Sequence, residues 1–81
     1  MSTAADEQLK ELLTEIFLME DEEYADENGP DQIEGWDSLS MIAVAVAVHE
    51  RFGHHMTPAQ VAAVRNIGDI RGFLRDNGVG I

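Results

Sequence analysis

The sequence predicts an all-α fold: a small four-helix bundle, three main helices plus one short helix, with a long acidic loop between helices 1 and 2. Three observations lead there. Apolar residues recur at helical spacing near both ends of the chain, helix-capping residues stand before each periodic stretch, and 81 residues that are 44% hydrophobic and 26% charged suffice for one core and no more. One domain spanning residues 1–81 is therefore expected. A domain of this size hides only about 60–65% of the surface that its unfolded chain exposes, which leaves little room for an enclosed catalytic cavity.

Helix 1 rests on Leu9, Leu12, Leu13, Ile16 and Phe17, whose i, i+3, i+4, i+7, i+8 spacing puts them on one face. Thr3, with Asp6 three residues on, or Ser2 before it, supplies an N-cap, and the helix is expected from about residue 4 to 19. From residue 20 to 36, clustered acids and the pair Gly29-Pro30 oppose further helix, while Tyr24, Ile33 and Trp36 suggest a loop pinned to the core. Residues 38–52 alternate locally, as a strand would. Their length, the Asp37 cap, the alanines and the Gly53 stop decide for helix 2. Thr57, Pro58 and Gln60 form a capping-box start for a short helix ending near Val64. Asn66 caps a last helix with Ile67, Ile70, Phe73 and Leu74 on one face and Asn77-Gly78 as its end; Arg71 and Arg75 suit the negative C-terminal pole.

Composition narrows the function classes. Five basic against sixteen acidic residues give a net charge of −11, which repels nucleic acid and anionic membranes and favours partners with basic faces. Residues 20–37 hold nine acids and no base, so the acidity is concentrated in one connection. The chain has no cysteine, so any thiol chemistry must come from an attached group. Its first residues lack the basic start and apolar stretch of a signal peptide, and no run nears the ~18 apolar residues of a spanning helix; a cytoplasmic, monomeric protein is expected.

The sequence Gly35-Trp36-Asp37-Ser38-Leu39-Ser40 lies where the acidic loop meets helix 2, putting the Ser38 hydroxyl at a helix N-terminus. Free N–H groups and the positive end of the helix dipole favour a phosphate there, so Ser38 is suited to carrying a phosphodiester. On the residues alone, the reading that Asp37 and Ser38 merely cap the helix is the favoured one.

Asp37-Ser38-Leu39 opening the second helix of an acidic domain of this length resembles the acyl carrier protein family, and the likeness extends over Glu50-Arg51-Phe52-Gly53, Pro58 to Val64 and Asn66-Ile67-Gly68-Asp69-Ile70. The resemblance implies that Ser38 receives 4′-phosphopantetheine from coenzyme A through a phosphopantetheinyl transferase, that Asp37 presents the serine to that enzyme, and that the thiol of the arm then holds acyl groups. It also implies a non-catalytic carrier served by loading and processing enzymes of ligase, acyltransferase and ketosynthase type. Two features depart from the usual pattern. Ala43, Val46, His49 and Arg51 occupy helix 2 positions where docking acids would stand, and Trp36 replaces a small residue, which resembles discrete carriers of specialised, polyketide-like pathways more than fatty acid carriers.

Helix 2 is apolar over more of its circumference than one buried stripe requires. Met41, Val44, Ala45, Val48 and Phe52 form a stripe for the core; Leu39, Ile42 and Val46 form a second, beside Ser38, as a candidate partner surface with Trp36, itself alternatively a loop anchor. Other chemistries fit less well. With Gly29 at position six of an EF-hand, Tyr24 and Gly35 fall where ligating acids belong. A serine hydrolase elbow needs glycines where Trp36 and Ser40 stand. His49, His54 and His55 have no acid at a defined metal-ligand spacing, and no metal site is expected. A peptidyl or aminoacyl carrier, or an unmodified acidic interaction module, remain the alternatives.

Overall fold

The computed structural model describes residues 3–81, and among them the regular structure is entirely helical. Four α-helices follow in order: α1 (Ala4–Phe17), α2 (Ser38–Phe52), α3 (Pro58–Ala63) and α4 (Ile67–Asp76). The molecule measures 31 × 29 × 19 Å, so its short dimension admits about two layers of helix. Among the described residues no helix is long and apolar enough to cross a membrane.

Each α-helix starts where a short polar side chain can accept an otherwise orphaned backbone N–H. Thr3 Oγ1 accepts from Asp6, Asp37 from Ser40, Thr57 from Gln60 and Asn66 from Asp69. Ser2, the other candidate cap for α1, lies outside the described residues. The core takes Leu9, Leu12, Leu13 and Phe17 from α1, Met41, Val44 and Val48 from α2, and Ile67, Ile70 and Leu74 from α4, closed by Met19, Ile33, Trp36 and Met56 from the connections. Ile16, Phe52 and Phe73, expected on core faces, are half-buried at its edge.

Helix α1 ends two residues before its expected limit because Leu18 takes a left-handed conformation, φ 56° and ψ 38°. There the returning chain closes on it: a Cβ on Gly35 would stand 2.0 Å from the Phe17 carbonyl oxygen. Apolar spacing alone could not reveal that contact, since Leu18 and Met19 continue an apolar run.

The acidic connection is ordered by its own polar groups, and it contains a 3-10 turn at Asp21–Glu23 that like-charge repulsion argued against. The Glu20 N–H donates to the Glu23 carboxylate at 2.9 Å, and the Glu23 N–H to the Glu20 backbone carbonyl at 3.0 Å, closing that turn. The chain then crosses to α4, where the Asn28 and Asp26 carbonyls accept from the N–H groups of Ile67 and Gly68 at 2.9 and 3.0 Å. A Cβ on Gly29 would lie 2.2 Å from the Arg65 carbonyl oxygen, so only glycine permits this approach. Arg71 does not serve the α4 dipole as expected. Its guanidinium bonds to Asp26 at 2.7 Å and Asp6 at 3.2 Å, tying α4 to the loop and α1. Tyr24 donates to the same Asp6 carboxylate; burial first, and that bond second, push its phenol well above the ordinary tyrosine range.

Candidate functional site

Trp36 fixes the approach to α2. Its ring stacks on Phe17, with centroids 4.7 Å apart and 14° between planes, and it is buried. An indole locked in this way makes the end of the acidic connection rigid immediately before the serine. Trp36 therefore anchors the loop and offers a partner little surface; only its edge reaches the neighbouring groove.

The next residues separate two serines. Asp37 accepts from the Ser40 backbone N–H at 2.8 Å, and the Ser40 hydroxyl donates to the Gly35 carbonyl at 2.7 Å, closing the turn into the helix. Ser40 is thereby consumed in structure. Ser38, at the first position of α2, is exposed and takes no part in these bonds. The hydrogen bond from the Ser40 backbone N–H holds the Asp37 carboxyl below the usual carboxylate range, so Asp37 is anionic beside Ser38 at neutral pH. What results is a free hydroxyl on a rigid helix start, adjacent to a fixed negative charge.

Downstream, α2 presents two apolar stripes. Met41, Val44 and Val48 are buried in the core, whereas Leu39, Ile42 and Val46 are 78%, 59% and 54% exposed. Leu18, at the same end of the molecule as Gly35, is the other large exposed apolar side chain among the described residues. Between α2 and α3 runs a groove of about 970 Å³ that begins at Ser38 and Trp36 and passes Met41, Ala45 and Val61 to His49 and His55. Sequence reasoning missed this groove, because it depends on how far the short α3 stands from α2. The small side chains Ala45 and Ala62 on its facing walls were its one trace in the sequence.

The acids lie elsewhere. Glu20, Asp21, Glu22, Glu27, Asp31 and Glu34 are exposed on the connection, while α2 exposes a single acid, Glu50, beside Ala43, His49 and Arg51. Among the described residues no three His, Cys, Asp or Glu side chains gather to hold a metal ion.

The site suits a phosphodiester-linked arm: Ser38 supplies an accessible oxygen at the positive end of the α2 dipole, and the apolar groove gives a tethered chain somewhere to lie. A family model described as a phosphopantetheine attachment site matches residues 7–74, from α1 through all but the end of α4. No curated protein matches the chain. The matched span covers most of the sequence and includes α2 with its serine, and so the chain belongs to the phosphopantetheine-binding carrier family, non-catalytic proteins on which a phosphopantetheinyl transferase installs a covalent 4′-phosphopantetheine.

Proposed function

We propose that the protein, as a single carrier unit over residues 1–81, is an acyl carrier of a specialised, polyketide-like pathway, with Ser38 as its attachment residue. The contrast between the two serines carries this reading: Ser40 is bonded to Gly35, while Ser38 is exposed beside Asp37 at the mouth of the groove. When bound, the arm supplies a thiol that holds acyl groups as thioesters, which a chain without cysteine cannot do for itself.

The remaining roles belong to the protein's own side chains. Asp37 keeps the first turn of α2 wound and presents Ser38 to the transferase. Leu39, Ile42 and Val46 meet the enzymes that load and process the cargo, of ligase, acyltransferase or ketosynthase type, because they are large, apolar and unburied beside the serine. The acidic connection draws partners with basic faces from a distance, and the groove shelters the arm between encounters. The presence of a single acid, Glu50, on α2, together with Trp36, supports a specialised pathway over fatty acid synthesis.

Incubation with a promiscuous phosphopantetheinyl transferase and coenzyme A should raise the intact mass by one arm in the wild type and leave Ser38→Ala unchanged. An unmodified wild type, or a gain that persists in Ser38→Ala, contradicts the reading.

A further inference from the structure

The groove between α2 and α3 changes character along its length. Near Ser38 and through its middle its walls are mostly apolar, but it ends against two imidazoles, His49 from α2 and His55 from the α2–α3 connection. The rings stand edge to face, with centroids 5.6 Å apart and 74° between planes. Among the described residues neither is ion-paired. Both are exposed, so they do not hold the core together.

Ser38 and His49 share one helix, eleven residues apart, a run of roughly 16 Å at 1.5 Å per residue. An extended phosphopantetheine arm has that reach. A group at its tip that follows the groove therefore arrives at hydrogen-bonding rings after crossing a surface that cannot hydrogen-bond. A keto oxygen that loses water against apolar walls is penalised, and a ring N–H reverses that penalty. Glu50 and Asp37 line the same groove and the arm's phosphodiester is itself anionic, so a cargo ending in a carboxylate would add a further negative charge there, whereas a neutral carbonyl adds none.

We infer that His49 and His55 are specificity-determining residues that read the cargo, donating to the keto oxygen at its third carbon and so favouring 3-oxoacyl chains over saturated chains of equal length. This rests on Ser38 carrying the arm.

The test uses the holo protein carrying one of two stable pantetheine analogues with an amide in place of the thioester: an octanoyl chain, or a 3-oxooctanoyl chain labelled with ¹³C at its keto carbon. Intact mass comes first. If Ser38 gains no arm, the carrier reading fails and this inference falls with it. Given loading, the imidazole resonances of His49 and His55 should shift with the 3-oxooctanoyl chain and stay at their arm-only positions with the octanoyl chain, while His54 moves with neither. In His49→Phe and His55→Phe, which keep a ring and should melt as the wild type does, the keto-carbon resonance should return to its position in the free analogue. Rings that respond alike to both chains, rings that respond to neither, or a keto resonance indifferent to both substitutions would overturn the inference while leaving Ser38 as the attachment site.

Discussion

The acidic connection and α2 are opposites in composition, and each is arranged against its own composition. The connection holds most of the molecule's negative charge, yet it is pinned at Ile33 and Trp36, bonded by its carbonyls to the start of α4, and clamped by Arg71. Helix α2 is the most apolar of the three long helices, yet it leaves Leu39, Ile42 and Val46 in solvent. The polar segment serves structure and the apolar one leaves a surface over. Order in this protein follows from where backbone groups and a few apolar anchors find partners, not from how hydrophobic a segment is.

The largest effects should come from removing a loop anchor. Trp36→Ala deletes a buried, stacked ring and should cost about 3–5 kcal/mol by chemical denaturation. Val46→Ser, on the apolar helix but outside the core, should stay within about 0.5 kcal/mol while slowing cargo transfer. Equal losses in the two variants would break the comparison. Phe52, placed by periodicity on the core stripe of α2, is half-buried, and its truncation to alanine should cost less than that of Trp36.

Next comes the loop's closest approach. Gly29→Ala introduces a methyl where only 2.2 Å separates it from the Arg65 carbonyl, so the loop and the α3–α4 junction must move apart, at about 1–3 kcal/mol. Faster amide exchange at Ile67 and Gly68, which donate to this loop, would be the local sign. If exchange there is unchanged, the loop does not hold α4.

Tyr24 offers a milder perturbation through pH. Its folded phenol titrates above the unfolded value of about 10, so the folded state retains a proton that the unfolded chain gives up. The stabilisation is complete below that value and is lost as pH rises through the folded one. Stability should therefore decline on the alkaline side, and Tyr24→Phe should flatten that decline; parallel curves would detach the clamp from stability.

The smallest effect on stability, and a visible one on kinetics, should follow from neutralising Glu20, Asp21, Glu22 and Glu23 together. Lys10 and Asp21 lie 3.9 Å apart on the surface, a contact worth little. Association with the transferase should slow and lose much of its salt dependence, while dissociation changes modestly. Identical salt slopes would leave these acids as a solubility device.

How much of this was legible in the sequence depends on whether a feature is local. Asp37, Thr57 and Asn66 each announced a helix start within four residues, and the stripe Met41, Val44, Val48 separated from Leu39, Ile42, Val46 by periodicity alone. What stayed hidden depends on segments that meet only in space. Leu18 ends α1 where Gly35 returns, Arg71 turns from the helix pole to Asp6 and Asp26, and His49 meets His55 across the end of a groove that no spacing in the sequence encodes. The site divides in the same way. The motif brought Ser38 into view, but the bond from Ser40 to Gly35, which distinguishes two serines two residues apart, requires the fold.

That distinction is the central claim, and fragmentation mass spectrometry of the enzymatically modified wild-type protein tests it most directly. The account predicts that the phosphopantetheine mass maps to Ser38 alone, with Ser40 unmodified. An arm found on Ser40, or on a residue outside the start of α2, would contradict it.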